Sequence, residues 1–248
     1  MNHITNAASA MAQLEQALLQ IKEGTIADSA LSRHVEAAQS AARHLYEIAE
    51  SAVRERADSI ERLTQNHAAI MQLARSESLS RGALDEALRE ITETAAKVLG
   101  VERSSVWVYN GDQTAILCLE LFQQSKRSHE SGIELGSASF PAYFDALKAE
   151  RTIAAHNAHT DPRTGEFSAS YLTPLGINSM LDAPIRVGGR MIGVICNEHV
   201  GPARTWTIEE EQFSASLADF IALAMESNER RETEIQLRTM LQEYESAE

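Results

Sequence analysis

The sequence predicts an α+β protein: an antiparallel sheet of five or six strands, helices from the N- and C-terminal sides on one face, a lid on the other, and an α-helical segment in front. Three observations carry this reading. All five prolines fall between Pro141 and Pro202, so the chain reads as helix, a mixed middle, then helix again. Two pairs of apolar runs flank the turn-forming dipeptides Asn110-Gly111 and Gly188-Gly189. Seven-residue apolar spacing is confined to the two ends. The expected division is a helical or coiled-coil segment at 1–79, an α+β domain at 80–228 and a C-terminal helix at 229–248.

The elements follow in order. Residues 8–22 show a short helical pattern that breaks near Gly24. Asp28-Ser29 can cap a helix running from about Ala30 to the late seventies. Leu31, Ala38, Leu45 and Ala52 recur at sevens, and a shifted seam continues through Val53, Ile60, His67 and Ala74. Such a thin, alanine-rich seam suits a coiled coil between chains or an antiparallel hairpin within one. Leu84, Leu88, Ile91, Ala95 and Val98 share a face of the next helix, which Gly100 stops. SSVWVY (104–109) and AILCLELF (115–122) read as strands around Asn110-Gly111-Asp112. A short helix over 140–149, a brief strand in RTIAAHN, and a loop over 160–176 come next. Strands over 179–187 and 190–199 turn at Gly188-Gly189. Thr207 and Glu210 form a capping box for the last helix, with Phe213, Leu217, Phe220, Ile221 and Ala224 on its apolar face. Beyond Ser227 the sequence turns strongly charged yet keeps Ile235, Leu237, Leu241 and Tyr244, the pattern of a helix that pairs with its own copy.

Composition narrows the function. With 248 residues the chain can bury a sizeable core. A net charge of −14 argues against nucleic acid as the main partner, because phosphate binding needs clustered Lys and Arg. No stretch approaches the roughly 20 apolar residues that span a bilayer. The opening MNHITNAASAMAQLEQALLQ lacks the basic-then-apolar order of a secretory signal. Two cysteines, Cys118 and Cys196, cannot build a disulfide framework, and a reducing, cytoplasmic location is the simplest reading.

LGINSMLDAPIRVGGRMIGVICNEHVGPARTWTIEEEQF resembles the C-terminal half of a GAF domain, the small-molecule sensory module of signalling proteins. NAHTDPRTGEF and SSVWVYNGD fit the same family, and the resemblance covers about 80–228. It implies an antiparallel sheet with terminal helices that commonly dimerise on one face and a ligand enclosed by loops and short helices on the other. The flanking helices then resemble signalling helices of a bacterial sensor. They would carry a rearrangement to a kinase or cyclase output domain or protein outside this chain, which itself shows no catalytic signature.

Strand alternation sorts the candidate pocket. Leu181, Ala183, Ile185 and Ile195 form a uniformly aliphatic set that suits helix packing. The opposite set, Met180, Asp182, Cys196 and Glu198, suits a partly polar cavity, and Trp107 and Tyr109 alternate into the same face. Tyr171 matches a pocket position of chromophore-binding GAF domains. The candidate ligand site is therefore Trp107, Tyr109, Tyr171, Met180, Asp182, Cys196 and Glu198, with His199 on the other face. Asp182 and Glu198 under one lid favour a cationic or hydrogen-bond-donating ligand, or one of them sits protonated. The alternative, with Asp182 capping backbone amides and Glu198 at an exposed strand end, stays open.

Specific chemistries are weakly marked. Phytochrome GAF domains attach a bilin through a cysteine where this chain has Phe167, with Ser168 and Glu198 at positions of pocket histidines. Covalent pigment is thus not expected. Neither cysteine lies in a motif like that of GAF-type methionine-sulfoxide reductases, which need an attacking and a resolving thiol. Asn157 and Phe167 match part of a cyclic-nucleotide pattern, but its Asp-Glu pair is missing. His156 and His159 sit in a loop without a third ligand at motif spacing. SHES (128–131) falls in a loop rather than on a bundle helix, so it is no phosphoacceptor box. No metal site or cofactor is identified. The reading is a regulatory GAF module, dimeric through its helices; a ligand-free scaffold and a GAF-derived redox enzyme are the other two.

Overall fold

The computed structural model describes residues 29–246 and, before them, only Ala12, Glu15, Gln16 and Leu19. The short helix expected over 8–22, apart from these four helical positions, and the cap at Asp28 lie outside the described residues. The chain divides into two compact units, 1–62 and 63–248. In the first, every described residue from Ser29 onward belongs to helix α1 (Ser29–Leu73), and the seam residues Leu45, Ile48, Val53 and Ile60 are exposed.

The second unit begins with the last turns of α1, where Leu73 is buried, and continues through α2 (Glu77–Ser80) and α3 (Leu84–Leu99). Ser76 breaks the long helix: its hydroxyl accepts the Ser78 amide and donates to Glu90 Oε2 at 2.5 Å. α3 ends on Gly100 in the left-handed region, as its sequence predicts. The sheet follows: β1 (Arg103–Tyr109), β2 (Ala115–Gln123), β3 (Ser128–Glu130), β4 (Glu134–Gly136), β5 (Ile153–Ala155), β6 (Ile177–Val187) and β7 (Arg190–Val200). A short helix, α4 (Pro141–Ala149), precedes β5, and a helical turn, α5 (Thr173–Leu175), precedes β6. The long α6 (Ile208–Ser246) closes the chain.

All pairings are antiparallel, in the order β3-β2-β1-β7-β6-β5, with β4 also on β2. This seven-stranded sheet exceeds the expected five or six because β3 and β4 form in a segment read as loop. They are three residues each, too short for alternation to show in sequence, and SHES accordingly contributes to an edge strand. The Gly188-Gly189 hairpin is a two-residue turn with φ of 56° and 80°, conformations that glycine alone adopts freely. The first hairpin is longer than its Asn-Gly suggests. Asn110 Oδ1 accepts the amides of Thr114 and Ala115, closing a five-residue loop.

One face of the sheet packs α3 and α6. Leu181, Ala183, Ile185 and Ile195 join Leu88, Ile91, Phe213, Leu217 and Ile221 in one core. Leu217 and Ile221 are fully buried there, so this apolar face of the last helix meets the domain's own sheet and not a second copy. The large apolar positions that α6 leaves exposed among the described residues are Ile208 at its start and, further on, Leu223, Ile235, Leu237, Met240, Leu241 and Tyr244. The capping box forms: Thr207 N–H donates to Glu210 Oε2 at 2.9 Å and Glu210 N–H to Thr207 Oγ1 at 3.3 Å. Expected and observed helix now merge, since α6 runs without a break from the core into the charged segment.

Candidate functional site

The opposite face of the sheet carries a second core, roofed by α4 and the turns over 165–175. Register arranges its side chains in rungs across three strands. Trp107, Val194 and Pro184 form one rung, Ser105, Cys196 and Asp182 the next, and Arg103, Glu198 and Met180 the third. Gly193 lets β1 and β7 approach closely: a Cβ there would stand 2.1 Å from the Trp107 carbonyl oxygen.

Two polar clusters lie in this interior. In the first, Arg103 Nε donates to Glu198 Oε2 at 2.7 Å, and both side chains are buried. Arg103 Nη2 also reaches the hydroxyl of Tyr171, 3.5 Å away on the lid. Burial and the nearby Glu198 push the Tyr171 phenol up, so it stays protonated. In the second cluster, Tyr143 of α4 donates its hydroxyl to Asp182 Oδ2 at 2.7 Å and lies 3.4 Å from Cys196 Sγ. Asp182 is fully buried, and among the described residues its Oδ1 meets no hydrogen-bond partner and no cation pairs with it, Arg103 being engaged by Glu198. Burial therefore pushes its carboxyl up to about 8, against the pull of the Tyr143 hydrogen bond. Burial likewise raises the Tyr143 and Cys196 groups far above their usual ranges and takes the Cys118 thiol up to about 12.

The apolar filling is aromatic. Phe167 stacks on Phe140 with centroids 4.1 Å apart and meets Tyr143 edge-on at 4.9 Å. Trp107 donates its indole N–H to Ser105 Oγ at 2.8 Å.

Of the seven residues proposed from sequence, Trp107, Met180, Asp182, Cys196 and Glu198 share this buried interior. Tyr171 is half-buried at the Arg103 end, and Tyr109 sits near Phe144 (5.9 Å) at the other end. Six residue steps of β1, about 20 Å, separate the two ends. Glu198 is buried, so it does not lie at an exposed strand end. The preference for a cationic ligand also loses its basis: Glu198 is neutralised by Arg103, and Asp182 keeps its proton at neutral pH.

Arg103 and Tyr143 were missed. Arg103 shares the parity of Ser105 and Trp107, so beginning the strand one residue earlier would have placed it in the interior. Tyr143 lies on a nine-residue helix whose docking against the sheet no local pattern encodes. The histidines take separate partners: His156 Nδ1 accepts the Trp206 amide and His159 Nδ1 bonds Ser168 Oγ. Among the described residues no cluster of three His, Cys, Asp or Glu side chains could hold a metal ion.

A sequence model of the GAF domain matches residues 83–225. Solved structures of similar fold include the GAF domain of a phosphoenolpyruvate-protein phosphotransferase from Coxiella burnetii, at 14% identity and a TM-score of 0.54, covering 70% of this chain and 98% of that one. A phycoerythrobilin-bound GAF domain from a cyanobacterial phytochrome is 16% identical with a TM-score of 0.54, over 66% of this chain and 95% of that one. The photosensory core module of a Stigmatella aurantiaca phytochrome is 12% identical with a TM-score of 0.55, over 71% of this chain and 38% of that one. Likeness at these identities shows the fold alone. No curated protein matches the chain in sequence.

Proposed function

The chain belongs to the GAF domain family, and from that premise we propose that it is the sensory module of a bacterial signalling protein, binding a small ligand under the lid and signalling through paired helices. The observation that carries this reading is the pair of polar clusters sealed beneath the lid. Burying Arg103, Glu198 and an unpaired Asp182 costs free energy that an all-apolar interior would avoid. Such groups are worth keeping where a ligand uses them. Tyr171 and Tyr143 join the lid to those clusters, so an incoming molecule that displaces either loosens the lid from the sheet. Signal follows only when the ligand binds two helix arrangements with different affinity.

In this reading residues 1–79 are the N-terminal helical segment, 80–228 the sensor and 229–248 the signalling helix of a cytoplasmic homodimer. The module is regulatory, and its output lies in a downstream kinase or cyclase domain or protein. No helix among the described residues is long and apolar enough to cross a membrane.

One observation favours the second reading, a scaffold with a permanently filled pocket: Trp107, Tyr143 and Phe167 occupy the lid interior themselves. The redox reading has no such support, since a nucleophilic thiol needs a lowered pKa and both thiols here are raised. Native mass spectrometry of protein purified from its own host separates the first two. The sensory reading expects a bound small molecule, or a thermal shift with at least one metabolite of a broad panel. An empty chain that no metabolite shifts establishes the scaffold instead.

A further inference from the structure

A cleft of about 300 Å³ opens at the end of the lid face opposite Arg103. Tyr109 and Phe144 form an aromatic wall, Met191 adds an apolar surface, and Lys148 and Arg190 stand at the rim beside Gln113. No carboxylate lines it, although the chain as a whole carries a net charge of −14. Arg190 has no ion-pair partner among the described residues, and Lys148 has only a loose contact of 3.4 Å with the exposed Asp145. Tyr109 adds a hydroxyl that is buried without a hydrogen-bond partner, and burial raises its pKa to about 12, so it remains a donor at neutral pH.

We propose that this cleft is a binding site for a small aromatic carboxylate, its ring against Tyr109 and Phe144 and its acid group between Lys148 and Arg190. The pairing of two tilted aromatic rings, 54° apart, with two weakly engaged cations is what recognises such a molecule. A ring supplies dispersion and burial, and guanidinium holds a carboxylate through two parallel hydrogen bonds. The small volume, at the low end of ligand sites, limits the ring system to one or two rings. The proposal goes beyond the lid-interior reading and shares only Tyr109 with it.

Benzoate is the probe, titrated into the full ¹⁵N-labelled chain and followed by amide shifts. Saturable changes centred on Tyr109, Phe144 and Arg190 are expected, with benzamide and inorganic phosphate each binding at least about fivefold more weakly, the worth of one moderately exposed charge contact. An Arg190→Gln, Lys148→Gln chain should lose affinity by a similar factor while keeping its spectrum elsewhere. An Asp182→Asn chain should bind benzoate as the parent does. Equal binding of benzamide, no effect of the rim substitutions, or no saturable binding overturns the cleft. Loss of benzoate binding in Asp182→Asn but not in the rim variant moves the acid into the lid interior, which sinks this proposal and leaves the sensory one standing.

Discussion

Arg103 and Asp182 show how one residue sets the character of a buried face. Arg103 is matched directly across the sheet by Glu198, and removing the cation leaves a carboxylate buried with no counter-charge. An Arg103→Met chain should lose about 3–5 kcal/mol in urea unfolding. Arg103→Met with Glu198→Met should recover much of that loss, because two apolar groups replace the pair. A double variant no better than the single would show that the ion pair is not what holds this end of the lid. Asp182 makes a prediction with a definite sign. The unfolded chain releases its proton near 3.8, whereas the folded chain holds it to about 8. Between those values the folded state binds more protons, so its stability is fully present below the lower value and falls as pH rises to the higher one. The slope is on the order of 1.4 kcal/mol per pH unit. Asp182→Asn should remove it, so that the variant gains a few kcal/mol on the parent between pH 5 and pH 8. Parallel stability curves for the two proteins across that range would refute the buried, protonated carboxyl.

At the scale of elements, α6 behaves as two helices in one. Up to Ala224 it presents Phe213, Leu217 and Ile221 to the sheet, and beyond Glu229 every described side chain is exposed. The charged half buries no apolar side chain on the domain and is tied to it by Arg231, which donates to the Gly82 carbonyl at 3.1 Å, so its sparse apolar residues are left for pairing with a second copy. Leu217→Asp should therefore unfold the domain, while Leu237→Asp with Leu241→Asp should leave its melting temperature within a degree or two, as surface changes do. If the helices pair as proposed, light scattering should show the second variant as a monomer where the parent is a dimer. A dimer that survives both substitutions would move the interface off this helix.

At the scale of the whole molecule, the legibility of the chain followed the range of its interactions. Gly100, Gly188-Gly189 and the Thr207–Glu210 box act over a few residues, and each did in the structure what its chemistry demands. Alternation likewise sorted Leu181, Ala183 and Ile185 from Met180 and Asp182, since a period of two is intrinsic to a strand. The three-residue strands β3 and β4 escaped because so short a run carries no period. Leu217 and Ile221 were visible as an apolar face, but a face does not say whether it meets its own sheet or another chain. Local chemistry was enough to mark the longer elements, the helix caps, the Gly188-Gly189 turn and which strand residues share a side. It took the folded chain to set Glu198 against Arg103 across 95 positions of sequence, to bring Tyr143 down onto Asp182, and to bury this carboxyl deeply enough that it keeps its proton. Charge state and partner choice depend on burial and on groups brought from distant segments, and neither is a property of any local stretch of chain.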